Sequence, residues 1–233
     1  MSAALQVWQI RLSSLRNDCQ AKGLRKGLIN FTYEWYFKRQ FRKMDIFFPD
    51  FSSHVQDTVL KSIHHDAHEN QESSFFLINK AFYKIPLRFS DIHLLDIGCG
   101  SGKAMVMGMK HGFKEVSGVD LDLESLQQAE HNCAQMRAYG SDTGYHLHTG
   151  DASVFDIPHG VNLVYLFNPF GILTLKQVLA NVNAYAKNTG SPVFVIYLNP
   201  KHDFVFSELE GCRKLYSSFF KASRPEMNIY RIG

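Results

Sequence analysis

Between residues 94 and 102 the chain reads Leu-Leu-Asp-Ile-Gly-Cys-Gly-Ser-Gly, an apolar run that meets three glycines spaced two apart and then a helical pattern from Ala104 to His111. Few arrangements satisfy this. A buried parallel strand, a sharp turn and an immediate helix need residues without a Cβ where the backbone reverses and its N–H groups approach a ligand. Gly98, Gly100 and Gly102 supply them. The segment therefore predicts a nucleotide-cofactor loop at the carboxyl end of a strand in a doubly wound α/β sheet.

The spacing narrows the ligand. A dinucleotide fingerprint, G-x-G-x-x-G, would put its third glycine at 103, where this chain has Lys103. Asp96 argues the same way, because a carboxylate beside a helix N-terminus repels a pyrophosphate and attracts a cation. NAD and FAD are disfavoured, and a positively charged cofactor is favoured.

Downstream the chain alternates strands and helices. Val116–Asp120 predicts a second strand whose terminal Asp120 lies 22 residues after Gly98, where a ribose-binding acid belongs. Asp122 competes for that role and suits a helix N-cap better. A helix from Leu123 to about Arg137 and a turn-rich stretch lead to a third strand, Tyr145–Thr149, ended by Gly150-Asp151-Ala152. Val161–Phe167 is near-continuously apolar, as a strand covered on both faces should be, and runs into Asn168-Pro169-Phe170-Gly171. After a helix carrying Leu175, Val178, Leu179, Val182 and Ala186 comes a fifth strand, Val193–Leu198, ending in a second Asn-Pro, Asn199-Pro200. Ligands of open α/β sheets bind at these carboxyl ends, so Tyr197, Asn199 and His202 join the candidates. A short helix, Phe204–Leu209, and two β-rich runs, Leu215–Phe220 and Met227–Ile232, complete the chain.

Over roughly residues 92–233 this succession resembles the class I, seven-stranded S-adenosylmethionine-dependent methyltransferases. The resemblance implies a doubly wound, mostly parallel seven-stranded sheet with an antiparallel last strand, and an N-terminal helical extension. Residues 1–90 would be that extension or lid, and 91–233 the catalytic domain. It implies S-adenosyl-L-methionine held by Asp96, Gly98, Cys99, Gly100, Gly102, Asp120, Leu121, Asp151, Ala152 and Asn168. Asp151 would take the exocyclic amine of adenine. Asn168, Pro169 and Phe170 resemble the (D/N)-P-P-(Y/F) motif of amino-group methyltransferases without its second proline. With His202 they would receive a nitrogen or oxygen acceptor for in-line methyl transfer. His202 or Tyr197 would serve as base if the acceptor is protonated. Two other functions compete: a non-catalytic S-adenosylmethionine sensor and an aminopropyltransferase on the same fold, the latter weakened because position 168 is Asn and not an acid.

The first ninety residues match no recognised pattern. Residues 1–45 hold nine Lys/Arg against three Asp/Glu, while the whole chain carries only +3. A helix is expected over Leu5–Arg16, an interruption at Gly23 and Gly27, and a second helix over Phe31–Met44 that interleaves aromatics with Lys38, Arg39, Arg42 and Lys43. That segment is expected either to complete the core or to dock on an anionic partner: RNA, acidic protein or a lipid surface. Phe47-Phe48-Pro49 marks a boundary, and Ser52–Ile63 predicts another helix. His64, His65 and His68 have no third ligand at a recognisable spacing, so no metal site is assigned. Ser73 or Ser74 should cap a helix through Phe75–Tyr83 that ends before Pro86, and Glu69, Asn70, Gln71 and Ser73 are lid candidates. The four cysteines form no C-x-x-C pair, so neither zinc nor a disulfide framework is indicated. With no secretory signal pattern and no apolar run near the ~18 residues a membrane span needs, the expected location is the cytoplasm.

Overall fold

The computed structural model describes residues 23–48, 73–167, 170–219 and 225–233, together with Arg16 and Cys19. The helices expected over Leu5–Arg16 (save Arg16) and Ser52–Ile63 lie outside the described residues. So do His64, His65, His68, Glu69, Asn70, Gln71, Asn168 and Pro169.

Seven strands form one sheet: β1 (His93–Ile97), β2 (Glu115–Asp120), β3 (Gly144–Thr149), β4 (Leu163–Leu166), β5 (Val193–Leu198), β6 (Cys212–Phe219) and β7 (Pro225–Ile232), in the order β3-β2-β1-β4-β5-β7-β6. β1 to β5 are parallel, and β7 runs antiparallel to both β5 and β6. Every residue of β1, β4 and β5 is buried, the pattern their unbroken apolar runs predict. The chain order reverses between β1 and β4, and this switch point opens a crevice beyond the strands' carboxyl ends.

Helices cover both faces. α1 (Leu24–Arg42), α2 (Phe75–Phe82), α3 (Lys103–Lys110) and α4 (Leu123–Ala138) share one apolar cluster with Leu94, Leu163, Tyr165 and Ile196 of the sheet. α5 (Ile172–Thr189) and a 3-10 turn (Asp203–Glu208) cover the other face, with Leu95, Val164, Val195 and Tyr230. Phe37 and Phe41 of α1 lie 5.3 and 5.5 Å from the ring of Phe75, so the described N-terminal helices share the core of the sheet.

Two local expectations are corrected. Gly27 does not interrupt a helix: α1 starts at Leu24 and runs through it. A Cβ there would stand 2.7 Å from the Cα and N of Cys19, so the glycine permits a close backbone approach. Gly23, at φ +84°, is where the helix starts. Nor does a serine side chain cap α2. Ser74 turns its hydroxyl to Asn30 Oδ1, and the first amide of the helix, Phe75 N–H, donates to Glu34 Oε1 at 2.6 Å. A carboxylate from α1 thus takes the place of the local cap, matching negative charge to a helix N-terminus.

Candidate active site

The crevice is built by strands that end together. Ile97 is in register with Val119 and Leu166, and Asp120 with Thr149, so the residues that follow β1, β2, β3 and β4 emerge at one edge. Gly98, Gly100 and Gly102 all hold positive φ, 73°, 51° and 76°, a backbone that only glycine adopts without strain.

The amides of this loop are used internally. Gly98 N–H and Cys99 N–H donate to Val119 O at 2.9 and 3.2 Å, and Gly102 N–H donates to Cys99 O at 2.9 Å. Gly100 N–H donates to Asp120 Oδ2 at 2.7 Å. A phosphate-binding loop offers such groups to an anion; here three of these four bind the end of β2 and the fourth closes the loop on itself.

What the edge offers is negative charge. Asp120 is half-buried, and burial pushes its carboxyl above the usual range against the opposing pull of amide donors from Asp122, Gly100 and Leu121. Its Oδ1 accepts from Asp122 N–H at 2.9 Å, while Asp122 itself caps α4 by accepting from Glu124 and Ser125. Each Asp120 oxygen keeps a lone pair for a further donor. Asp96 is buried completely, and burial, reinforced by Asp120, raises its carboxyl well above the usual range. Among the described residues nothing hydrogen-bonds it. Its in-register neighbour on β4, Tyr165, is also fully buried, and its hydroxyl lacks a hydrogen-bond partner; Ser73 stands near enough to ease its ionisation slightly, outside hydrogen-bond geometry. A buried carboxylate and a buried hydroxyl, beside a second carboxylate, fit a ligand that brings positive charge and N–H donors.

The remaining sequence candidates sort by position. Asp151 follows β3 and accepts from Ser153 N–H at 2.8 Å; Ala152 and Leu121 are half-buried at the same edge. Cys99 is buried with its thiol pushed well up, by burial first and then by Asp96 and Asp120, so it fills space and is no nucleophile. Asn168 and Pro169 lie outside the described residues. Phe170 is 8% exposed and belongs to the apolar cluster under α5; as it stands, the ring expected to stack on an acceptor is part of the core. Tyr197 is buried on the α5 face, its phenol pushed up to about 12 by burial. It therefore stays protonated at neutral pH, which removes it as a base. Its hydroxyl accepts the His202 N–H at 3.4 Å, and His202 is half-buried beyond β5. Asn199, between them, adopts φ +48° directly before Pro200, a strained backbone of the kind that gathers at functional edges.

Sequence reading missed what fastens this edge to the N-terminal helices. Lys103, noted only as not being a glycine, is buried; its Nζ lies 3.6 Å from Glu34 Oε2 and 3.9 Å from the ring centre of Phe75. Asn132, in mid-α4, pairs with Phe47 through both backbone groups, accepting its N–H at 3.0 Å and donating to its carbonyl at 2.7 Å, and also donates to Ser101 O at 2.9 Å. These are contacts between segments far apart in the chain, and no local pattern announces them.

A seven-stranded sheet with antiparallel β7, a glycine loop whose amides are spent and a carboxylate-rich crevice at its switch point define the class I methyltransferase fold. Comparison with known proteins agrees. The family model described as "Methyltransferase domain" matches residues 94–190. Among solved structures the chain is similar to a proposed methyltransferase from Escherichia coli, at 16% identity over 71% of this chain and 89% of that one, TM-score 0.52. It is also similar to a proposed RNA methyltransferase from Pyrococcus horikoshii, at 20% identity over 70% and 85%, TM-score 0.51. A third is the ribosomal protein L11 methylase from Lactobacillus delbrueckii subsp. bulgaricus, at 18% identity over 73% and 83%, TM-score 0.51. No curated protein is significantly similar in sequence. Residues 94–190 thus match a methyltransferase domain on the class I fold, and the charge and N–H donors of S-adenosylmethionine, the cofactor of that class, suit Asp96 and Asp120.

Proposed function

We propose that the protein methylates a nitrogen acceptor, with oxygen as the other possible atom, at the segment Asn168-Pro169-Phe170. The observation that carries this reading is the edge itself. β4 ends at Leu166, in register with Ile97, so the chain leaves this strand toward Asn168 at the edge that also carries Asp96 and Asp120.

Bound S-adenosylmethionine supplies an electrophilic methyl group on a positively charged sulfur. The chain's task is then to align an acceptor lone pair with the methyl and to keep water out, a contribution that reaches ~7 kcal/mol for well-oriented pairs. An Asn side chain at 168 can take an amine N–H through its carbonyl oxygen, with a backbone carbonyl nearby taking a second, which aims the lone pair. An acceptor nitrogen that has been methylated would carry an extra positive charge and must shed a proton to a nearby base. His202 is the remaining basic candidate at this edge. Burial of Asp96 and Asp120 strengthens their hold on a sulfonium ligand while the same dry surroundings favour a reaction in which charge moves away from sulfur.

Asn168→Ala separates this reading from its competitors. It should leave S-adenosylmethionine affinity within about two-fold while release of S-adenosylhomocysteine, assayed over a panel of amines and cell extract, falls by about 10- to 1,000-fold, the scale of losing one positioning group. Equal loss of binding and turnover would make the segment a structural turn. Cofactor binding with no turnover on any acceptor would favour a sensor.

A further inference from the structure

The solvent side of α1 forms a second surface, apart from the methyl-transfer edge. Leu24 is 70% exposed, Leu28 44% and Trp35 46%, and at 100° per residue these three fall within an arc of about 40°. Arg39, Arg42 and Lys43 are exposed on and beside the same arc, toward the C-terminal end of the helix. The Arg39 guanidinium lies 5.5 Å from the Trp35 ring centre. The single carboxylate of α1, Glu34, is turned inward onto Phe75 and Lys103. Among the described residues of α1 nothing negative therefore interrupts the outer arc, which is apolar over its first half and cationic toward its end; Asp45, just beyond Lys43, lies 3.2 Å from His131 Nε2.

The opposite arc, through Gly27, Phe37 and Phe41, is locked into the core. The outer arc is thus held straight for about 28 Å, and no ordering cost attends its docking. Solvent-exposed aliphatic and indole surface continued by a cluster of cations matches the boundary between acyl chains and anionic headgroups. It does not match a nucleic acid equally well: phosphates would use the cations, but Leu24 and Leu28 would find no counterpart, and a base stacking on Trp35 competes with Arg39. No described helix is long and apolar enough to cross a membrane, so the geometry is that of a helix lying in the plane of the surface.

We propose that this face of α1 docks the protein on an anionic lipid bilayer, with Leu24, Leu28 and Trp35 entering the headgroup boundary and Arg39, Arg42 and Lys43 binding the headgroups. The proposal does not depend on the methyl acceptor, because its readout is binding.

The test uses the full chain and vesicles of phosphatidylcholine, alone or mixed in equal parts with phosphatidylserine. The protein should float with the mixed vesicles and not with the neutral ones, and added salt should release it. In a Trp8→Phe background, which leaves Trp35 as the chain's only tryptophan, the emission should shift to the blue on binding. Arg39→Gln/Arg42→Gln/Lys43→Gln should weaken binding to the mixed vesicles about 100-fold, roughly five-fold per charge. Leu28→Ser/Trp35→Ser should abolish flotation while the charges remain. Both variants replace exposed side chains, and an unchanged thermal midpoint checks that they fold. Flotation that ignores lipid charge, variants that float like the wild type, or salt-sensitive binding to single-stranded RNA without binding to vesicles would each overturn the proposal.

Discussion

Glu34 holds two things at once, the first amide of α2 at 2.6 Å and the buried ammonium of Lys103 at 3.6 Å, so its replacement tests how the N-terminal helices are fastened to the cofactor loop. Losing the bond to Phe75 N–H resembles losing an N-cap, worth ~1 kcal/mol. Removing one partner of a fully buried ion pair costs about 3–5 kcal/mol. That figure is an upper bound here: the Glu34 side chain is 21% exposed, and the Phe75 ring, 3.9 Å from Nζ, continues to stabilise the cation. About 1–2 kcal/mol is the better value for the charge at this partly exposed site. Glu34→Ala loses both contributions and should lower unfolding free energy by ~2–3 kcal/mol, shifting the thermal midpoint by about 4–12 °C for a chain of this size. Glu34→Gln keeps an acceptor for Phe75 and should cost ~1–2 kcal/mol. Adding Lys103→Met to Glu34→Gln removes the stranded cation and should recover part of that loss. Urea unfolding of the three variants measures this. Ala and Gln variants both within ~0.5 kcal/mol of wild type, inside ordinary surface scatter, would refute the reasoning.

Asp96 and Asp120 are both raised by burial in the folded protein. In the free protein the stability associated with their protonated forms is present below the ordinary carboxylate range and is lost as pH rises through the raised values. A cationic ligand favours the ionised forms, so S-adenosylmethionine affinity should rise over that same window with release of protons. Denaturation and calorimetry across a pH series measure both slopes, and Asp96→Asn should flatten them; an unaltered profile would mean Asp96 does not titrate there. Gly118, in β2, has no space for a side chain, since a Cβ would meet Met105 Sδ at 2.5 Å and Cys99 Sγ at 2.8 Å. Gly118→Ala should cost ~1–3 kcal/mol by overpacking, read as a lower urea midpoint, whereas an unchanged midpoint would show that the two sulfurs yield freely.

The parts of this protein that follow local rules were legible in its sequence. β5 was expected at Val193–Leu198 and spans those residues, because a strand buried on both faces is an unbroken apolar run with turn residues at its end. The positive φ of Gly98, Gly100 and Gly102 follows from the demand of a strand-turn-helix for residues lacking a Cβ. Gly27 misled for the converse reason: glycine interrupts a helix on propensity, but a tertiary contact, the backbone of Cys19, outweighs about 1 kcal/mol of propensity. The expectation that Ser73 or Ser74 caps α2 failed similarly, since the cap comes from Glu34, 41 residues earlier. Asn132 and Phe47 are 85 residues apart. The Asp96–Tyr165 adjacency needed the register of β1 with β4, which hydrophobic periodicity does not specify for strands buried on both faces. Phe170 is an aromatic next to a motif, and whether such a ring faces the crevice or the core is set by packing against α5, which no local pattern carries.

Asp120 and its neighbours are the groups at this edge that would hold a cationic nucleoside cofactor. Calorimetric titration of S-adenosylmethionine into the wild type and Asp120→Asn, with NAD as a control ligand, tests this most directly. Asn is the better replacement because both Asp120 oxygens already hold backbone amides of the loop, from Gly100 and Asp122, and it keeps one acceptor where alanine keeps none. S-Adenosylmethionine should bind the wild type, and the variant should bind it about 30- to 1,000-fold more weakly, the ~2–4 kcal/mol of two charge-assisted hydrogen bonds, with no heat from NAD. Wild-type affinity in the variant, or tighter binding of NAD than of S-adenosylmethionine, would contradict the account.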